Sequence, residues 1–208
     1  MENETKQRII IFDSPDGTGK TNIAQGLCSR LNLPYFRCNK QHEFFKDEGS
    51  FRKALTYGDT LLTGFLEQTG ASVVLDRAYP AEWVYSRAYG RATNLDLLDS
   101  IDRSFSRMDA WIIIPVRHDY SNAREDEVIE NEMLPIIHRE YVENFRYWTM
   151  CNTIVIYVDT FEDKLEWELN TLIPEIRSTK TAKLMIQIDK GGLDIETAMF
   201  HKNLRGDP

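Results

Sequence analysis

The feature that most constrains the fold is the eight-residue stretch SPDGTGKT at residues 14–21, which lies between two segments of different hydrophobic pattern. The segment before it, RIIIFD at residues 8–13, is short and rich in β-branched residues, as expected for a buried strand. The segment after it repeats apolar residues at Ile23, Leu27 and Leu31, which is a helical period. A strand that passes through a glycine-rich turn into a helix favours an α/β fold.

The strand pattern recurs along the chain. Apolar runs occur at residues 72–76 (SVVLD), 110–116 (AWIIIPV) and 152–159 (NTIVIYVD), with a weaker run at 34–38 (PYFRC). Helical periods fill the intervals at about residues 51–66, 95–105, 134–148 and 161–176, and we expect Ser50 and Asn94 to act as N-caps. This alternation predicts a three-layer α/β/α sandwich with a five-stranded parallel sheet, and ligands beyond the carboxyl ends of its strands.

The end of the chain has a different pattern. From about residue 178 the sequence predicts one more short strand, a turn at Gly191 and Gly192, and a short helical or loose end. An edge strand with a frayed terminus is the preferred interpretation over a lid or a dimer contact. Since no stretch resembles a linker, we expect one domain over residues 1–208, with a core at about 8–176 and a C-terminal extension at about 178–208.

Composition excludes several classes of protein. The 33 acidic residues outnumber 25 Lys and Arg residues, and the net charge of -8 disfavours binding to a nucleic-acid duplex, although a local basic pocket stays open. The three cysteines show neither a CxxC pair nor a zinc-ligand spacing, so we expect a reducing, cytoplasmic compartment. No run approaches the roughly 20 apolar residues of a membrane span.

The residue types of the stretch at 14–21 suit phosphate chemistry. Glycines allow successive backbone N–H groups to face phosphate oxygens, and the N-terminus of the following helix adds positive potential. Lys20 supplies a mobile positive charge for the β- and γ-phosphates, and the Thr21 hydroxyl is a hard oxygen ligand for Mg²⁺. The alternative is an ordinary turn.

This stretch resembles the loop of the thymidylate kinase-like group of P-loop nucleoside and nucleotide kinases, which commonly reads GPDGxGKT. Ser14 replaces the first glycine, and a side chain there either resets the backbone or contacts phosphate itself. The resemblance implies a P-loop kinase fold, ATP and Mg²⁺ as cofactors, and a nucleotide-binding set at the loop. That set comprises Ser14, Pro15, Asp16, Gly17, Thr18, Gly19, Lys20, Thr21 and Asn22.

A second match follows the strand at residues 72–76. In the resembled family an Asp-Arg pair stands where this chain has Asp76 and Arg77, which implies that Asp76 helps Thr21 to hold Mg²⁺. Arg77 would contact the substrate phosphate or the transferred group, as a planar guanidinium does well. A structural ion pair is the alternative. Downstream, Tyr89 and Arg91 resemble the family's AYQGxGR segment and are candidate substrate residues, with packing as the alternative.

A third match is a lid at about residues 117–131. The segment RHDYSNAREDEV is polar and carries Arg117, His118 and Arg124. The resemblance implies a mobile arginine that closes over the triphosphate, and we prefer Arg124 because it lies deeper in the segment. We expect His118 to be a surface residue, and a solvated loop is the alternative for the whole segment.

The resemblance implies a nucleoside monophosphate kinase acting on dTMP or a 5-substituted dUMP. Asp16 would hold or orient the acceptor, and Lys20, Arg77 and Arg124 would stabilise the transferring phosphoryl group. A deoxynucleoside kinase, or a kinase of a hydroxymethyluracil base in DNA, is the alternative, and a hydroxyl acceptor would require Asp13 or Asp76 as base. A non-catalytic nucleotide switch is disfavoured because no guanine-specific [NT]KxD motif follows a later strand. The resemblance also implies a homodimer formed through helices that flank the sheet.

Overall fold

The computed structural model describes residues 7–37, 47–120 and 131–158, together with the backbone of residues 183–189 and 192–198. The strands are β1 (Ile9–Phe12), β2 (Tyr35–Arg37), β3 (Val73–Asp76), β4 (Trp111–Val116), β5 (Asn152–Tyr157), β6 (Lys183–Asp189) and β7 (Gly192–Ala198). The helices are α1 (Lys20–Leu31), α2 (Glu48–Thr69), α3 (Tyr79–Ala88), α4 (Leu95–Arg107), α5 (Leu134–Arg139) and α6 (Arg146–Trp148). A 3₁₀ turn (Asn131–Met133) precedes α5, and a π-helical segment (Glu140–Phe145) joins α5 to α6.

The strands form one sheet in the order β2-β3-β1-β4-β5-β6-β7. Every neighbouring pair from β2 to β6 is parallel, and β7 runs antiparallel to β6. The register places Phe12 of β1 beside Asp76 of β3 and Arg37 of β2 beside the same residue. The carboxyl ends of β1, β2 and β3 therefore meet, and the side chains that follow them share one cleft.

Alternate strand residues point to opposite faces, and a separate apolar cluster covers each face. Ile10 and Phe12 pack with Ile23 and Leu27 of α1. On the other face, Ile9 and Ile11 belong to a larger cluster that includes residues of α2, α3, α4, α5 and the π-helical segment. The three-layer α/β/α sandwich is thus confirmed.

The five predicted parallel strands are present, and the structure extends the sheet by two. The predicted strand near residue 183 is β6, but the helical or loose end expected after Gly192 is wrong, because residues 192–198 form β7 against β6. Antiparallel pairing satisfies that backbone without a helical pattern. The helix predicted at about 161–176 lies outside the described residues.

The N-caps give one confirmation and one correction. Asn94 caps α4, where its side chain accepts a hydrogen bond from the Leu97 N–H. Ser50 does not cap α2, because the helix begins earlier and Asp47 accepts from both the N–H and the hydroxyl of Ser50. The Asp47 carboxylate thus satisfies the free N–H of Ser50, which lies in the first turn of the helix rather than at its cap. Within the described ranges, no helix is both long and apolar enough to cross a membrane.

Candidate active site

The loop at residues 14–21 connects β1 to α1 and leaves a row of backbone donors unused. Gly17 and Gly19 both have a φ of 76°, a left-handed conformation that glycine adopts without strain. Among the described residues, nothing accepts a hydrogen bond from the backbone N–H groups of residues 16–21. Free N–H groups at the N-terminus of α1, a helix of 12 residues, make an anion-binding site.

Ser14 is accommodated inside this loop. Its side chain is fully buried, and its hydroxyl lies 2.7 Å from the Thr18 hydroxyl and 3.2 Å from the Pro15 carbonyl oxygen. Its φ is not among the positive values, so this position does not require glycine. The Ser14 hydroxyl bridges the two ends of the turn, and its contact with a bound phosphate stays a prediction.

Lys20 is the first residue of α1 and is 8% exposed. Its Nζ lies 3.4 Å from Oδ1 of Asp16. Burial and the nearby Arg77 charge lower the pKa of Lys20, although Asp16 opposes this shift. A desolvated ammonium held at the loop is placed to interact strongly with phosphate oxygens.

Asp76 ends β3 beside Thr21 and has the features of a magnesium ligand. The hydroxyls of Thr21 and Tyr35 each donate to Oδ2 of Asp76 at 2.7 Å. The other oxygen, Oδ1, is buried and has no hydrogen-bond partner within the described part of the chain. An orphaned carboxylate oxygen next to a hydroxyl fits a cation that takes few protein ligands and completes its shell with phosphate and water oxygens. No group of three or more His, Cys, Asp or Glu side chains among the described residues is arranged as a metal site.

Tyr35 is a participant that the sequence did not reveal. Burial and the Asp76 carboxylate raise the pKa of Tyr35 to about 12, so its hydroxyl stays protonated and can donate. The same Asp76 oxygen lies 3.7 Å from Nε of Arg37. The strand β2 therefore orients Asp76 for the loop.

Arg77 and Asp16 form the centre of the cleft. Arg77 has a φ of 73°, an unfavourable conformation for a residue with a side chain, and it turns the chain from β3 into α3. Its Nη2 donates to Oδ1 of Asp16, and its guanidinium lies 5.5 Å from the ring centre of Tyr85. The Tyr85 hydroxyl donates to Oδ2 of Asp16 at 3.1 Å. The structural ion pair that we considered is thus present, within the site itself.

Asp16 is ionised in this setting. Burial acts to raise its pKa, but the charges of Arg77 and Lys20 outweigh burial and hold the pKa at about 2. A carboxylate with two cationic partners is a weak base at neutral pH. It is better suited to position Arg77 and to accept a hydrogen bond from a ligand.

Asp13 has a structural role at the base of the cleft. It is fully buried, and its Oδ2 accepts from the backbone N–H groups of Ala78 and Ala81 at 3.2 and 3.0 Å. Its Oδ1 accepts from the Tyr141 hydroxyl at 2.7 Å. Asp13 thereby caps the N-terminus of α3, whose own N-cap residue, Ala78, has no capping side chain.

Asp59 is a second residue that the sequence did not reveal. It lies on α2, is partly buried, and receives no hydrogen bond from any described residue. Burial and repulsion from Asp13 raise the pKa of Asp59 to about 8. A helical aspartate in an amphipathic segment is ordinarily a surface residue, so only its tertiary position distinguishes it.

The predicted substrate residues Tyr89 and Arg91 are linked to Asp16 through Tyr85, whose hydroxyl donates to Asp16. The Tyr89 ring stacks on Tyr85 with centroids 6.5 Å apart, and the Arg91 guanidinium lies 4.3 Å from the centre of the Tyr89 ring. Arg91 also pairs with Glu48 at the start of α2. These contacts join α3 to α2, and a role of Tyr89 and Arg91 in substrate binding stays a prediction.

Of the predicted lid at about residues 117–131, the structure describes residues 117–120 and residue 131. Arg124, the preferred lid arginine, lies outside the described residues. Arg117 reaches the loop, with its Nη1 at 3.4 Å from the Gly17 carbonyl oxygen. His118 is exposed and stacks on Tyr157 at 4.4 Å, which agrees with a surface position.

The loop residues, Asp76 and Arg77 thus converge on one cleft, while Tyr89 and Arg91 flank it. The side chains missing from the sequence analysis are Tyr35, Tyr141 and Asp59. Tyr35 and Tyr141 join the site through hydrogen bonds between segments that are distant in the chain, the longer separation being 128 residues between Tyr141 and Asp13, and Asp59 joins it through electrostatic repulsion from Asp13.

Comparison with known proteins shows the fold. No protein-family model matches the chain, and no curated protein is similar in sequence. The YorR protein of Bacillus subtilis, solved in complex with phosphorylated GDP, superposes with a TM-score of 0.59 at 19% identity, over 81% of this chain and 95% of that chain. Deoxyadenosine kinase of M. mycoides, solved with dCMP and dCDP, has a TM-score of 0.52 at 16% identity, over 83% of this chain and 100% of that one.

Thymidylate kinase of Ehrlichia chaffeensis gives a TM-score of 0.53 at 16% identity, over 82% of this chain and 100% of that chain. Shikimate kinases are also among the similar structures. The chain therefore has the P-loop kinase fold, whose solved examples act on nucleotides, nucleosides and a smaller acid.

Proposed function

We propose that the protein is an ATP-dependent phosphotransferase that phosphorylates a deoxynucleoside monophosphate, with dTMP or a 5-substituted dUMP as the first candidates. The observation that carries the proposal is the Arg77–Asp16 pair beside Lys20, because it brings a guanidinium and an ammonium to one carboxylate of a loop whose backbone N–H groups are unused within the described part of the chain. This arrangement fits charge that spreads over a transferring phosphoryl group.

Each residue then has a defined task. The N–H groups of residues 16–21 and Lys20 bind the β- and γ-phosphates of ATP, and Thr21 with Asp76 holds Mg²⁺. Bound Mg²⁺ would neutralise phosphate charge. Arg77 contacts the acceptor phosphate, and Asp16 fixes the direction of Arg77 while accepting a hydrogen bond from the acceptor. Arg124 remains our candidate for closing over the triphosphate.

The carboxylates favour an acceptor that is already a phosphate, since such an acceptor needs no strong base. Both oxygens of Asp13 are occupied, Asp16 has a pKa of about 2, and Asp76 is committed to Thr21 and Tyr35. A deoxynucleoside is the second candidate, and Asp59 is the observation that favours it, because a carboxylate with a pKa raised to about 8 is a stronger base than an ordinary one. At neutral pH only the minor, ionised fraction of Asp59 is able to accept a proton from a hydroxyl.

A coupled assay of ADP release tests the proposal over deoxynucleosides, deoxynucleoside monophosphates, shikimate and an oligonucleotide containing hydroxymethyluracil. We expect a monophosphate to stimulate release most strongly. Stimulation by a nucleoside or the oligonucleotide alone would favour the corresponding alternative, and no stimulation by any acceptor would support a switch or binding module.

Arg77→Ala is the matching variant, with Arg103→Ala on the exposed side of α4 as control. Loss of Arg77 should raise the KM for the acceptor and lower kcat by about 100-fold or more, while ATP binding changes little. Equal loss of ATP binding and acceptor use would instead assign Arg77 a purely structural role.

A further inference from the structure

The backbone of Arg77 is held in an unfavourable conformation from both sides. Its φ of 73° is one that a residue with a side chain keeps only where the surrounding structure imposes it. On the strand side, the Arg77 N–H donates to the Phe12 carbonyl oxygen at 2.9 Å. On the helix side, Asp13 accepts from the N–H of Ala78. These contacts fix the backbone, whereas the next residue, Tyr79, is fixed through its side chain.

Tyr79 is the first residue of α3, lies two residues after Arg77 and is 1% exposed. Its ring stacks on Phe105 of α4, with centroids 5.6 Å apart, and packs against Phe145 at 6.2 Å. Its hydroxyl donates to Oδ1 of Asp102 on α4. Burial and the Asp102 carboxylate raise the pKa of Tyr79 well above its ordinary value, so the hydroxyl keeps its proton and donates.

Asp102 is a fully buried carboxylate. Besides the Tyr79 hydroxyl, it accepts from the Thr149 hydroxyl through Oδ1 and from the Met150 N–H through Oδ2, the latter at 2.8 Å. Burial raises the pKa of Asp102, and these donors oppose the shift. No ion pair to Asp102 occurs among the described residues. Since a buried carboxylate without a cation is costly, its hydrogen-bond donors keep it in the core.

The start of α3 influences Arg77 in two ways. It continues the backbone directly from Arg77, and the same helix carries Tyr85, whose hydroxyl donates to the Asp16 partner of Arg77. A change in the position of the first turn therefore moves both Arg77 and the group that orients it. A displacement of about 1 Å at a residue that positions reacting groups lowers rates by as much as roughly 100-fold.

We infer that Asp102 is a positioning residue for Arg77 and that it acts through the Tyr79 hydroxyl. The inference rests on the proposed function, in which Arg77 contacts the acceptor phosphate. An apolar side chain in place of Asp102 would avoid the cost of burying a carboxylate. It would also leave the Tyr79 hydroxyl and the Met150 N–H without their acceptor, and α3 would lose its attachment to α4 through this bond.

Two substitutions form a matched test, because each removes one hydroxyl donor from the same oxygen of Asp102: Tyr79→Phe and Thr149→Val. Thr149→Val also deprives the Cys151 N–H of its acceptor, so it should destabilise the fold at least as much. Only Tyr79→Phe breaks the link to α3. With the monophosphate that stimulates ADP release most strongly, we expect Tyr79→Phe to lower kcat/KM for the acceptor by about 10-fold at a nearly unchanged KM for ATP. Thr149→Val should leave both within about 2-fold of the wild type.

Asp102→Asn and Asp102→Leu form a second pair. Asparagine keeps an oxygen that accepts from Tyr79, so it should retain most of the acceptor kinetics, although its amino group faces the Met150 N–H and lowers stability. Leucine removes the acceptor and should reproduce the kinetic effect of Tyr79→Phe. Because both substitutions break the same link, the double variant Asp102→Leu/Tyr79→Phe should be no slower than Asp102→Leu alone.

The Nε–H signal of Arg77 in heteronuclear NMR spectra, assigned with Arg77→Lys, follows the guanidinium without turnover or ligand. It should shift in Tyr79→Phe and in Asp102→Leu and keep its position in Thr149→Val. Equal effects of Tyr79→Phe and Thr149→Val on this signal and on the acceptor kinetics would overturn the inference. A shift specific to Tyr79→Phe, in a protein that phosphorylates no acceptor, would leave the inference standing and overturn the proposed function.

Discussion

At the residue scale, Ser14 shows how a change in the loop is tolerated. Its hydroxyl bonds within the turn, and the backbone there is not left-handed, so the serine side chain is accommodated by contacts inside the loop. We expect Ser14→Ala to lower the free energy of unfolding by about 1 kcal/mol while the KM for ATP hardly changes. Ser14→Gly should lower it by a further 0.5–1 kcal/mol or so, because glycine is more flexible in the unfolded chain.

Chemical denaturation and ATP titration of both variants measure these effects. A KM for ATP that rises steeply in Ser14→Ala, with unchanged stability, would mean that the hydroxyl contacts phosphate after all.

Asp59 gives a prediction about how the free energy of unfolding depends on pH. Its pKa is raised from 3.8 to about 8, so the folded protein binds a proton there that the unfolded chain releases at lower pH. The stability associated with this group is complete below the unfolded pKa and is lost as pH rises through about 8. Asp59→Asn should therefore gain stability relative to the wild type as pH rises, by about 1–3 kcal/mol between roughly pH 5 and 9 after allowance for solvent screening.

Urea denaturation over this pH range measures the difference. Asp96→Asn, at an exposed position at the start of α4, is the control and should differ from the wild type by a small and constant amount. A parallel pH dependence of Asp59→Asn and the wild type would show that Asp59 is not perturbed.

At the element scale, the N-terminus of α3 controls the position of Arg77. Asp13 of the β1 end accepts from the first turn of α3 and from Tyr141, and this anchors the helix whose Tyr85 holds Asp16. Tyr141→Phe removes one donor from a fully buried carboxylate, so we expect a loss of about 1–3 kcal/mol in stability and a raised KM for the acceptor.

Tyr147→Phe is the matched control, because Tyr147 lies on the neighbouring helical turn and is 51% exposed. Thermal unfolding and acceptor kinetics of the two variants check the prediction. If the two substitutions have equal effects, Asp13 does not depend on Tyr141.

The elements that the sequence predicts correctly are those determined by residues that are close together in the chain. The strand, glycine turn and helix around Lys20 are adjacent in sequence, and the period of each segment identified it. Asn94 was found as a cap for the same reason. Ser50 was assigned wrongly because Asp47 and Ser50 both suit a cap, and the local sequence does not decide which of two nearby polar residues begins the helix.

The remaining contacts of the site depend on the order of the strands and the packing of the helices, which the sequence pattern does not predict. Tyr35 meets Asp76 only because β2 pairs with β3, and Tyr141 meets Asp13 only because the π-helical segment packs under α3. The strand β7 was missed because its backbone is satisfied by antiparallel pairing with β6, while its sequence, GLDIETA, has few apolar residues. Long-range pairing, rather than propensity, determined these features.

At the scale of the whole molecule, the net charge of -8 contrasts with a cleft where Lys20 and Arg77 lie beside a helix N-terminus.

The homodimer implied by the family resemblance stays a prediction. Exposed apolar side chains at Tyr57, Leu61 and Phe65 recur every four residues along α2. If this face joins two copies, sedimentation should show a dimer that Leu61→Glu converts to a monomer; a monomeric wild type would contradict the prediction.

The central claim is that the cleft transfers the γ-phosphoryl group of ATP to an acceptor. The most direct measurement follows label from γ-labelled ATP in the presence of Mg²⁺ and deoxynucleoside monophosphates, for the wild type and for Lys20→Ala. We predict label in a deoxynucleoside diphosphate with the wild type, and at least about 100-fold less with a folded Lys20→Ala. Label found only in inorganic phosphate, or equal transfer by both proteins, would contradict the account.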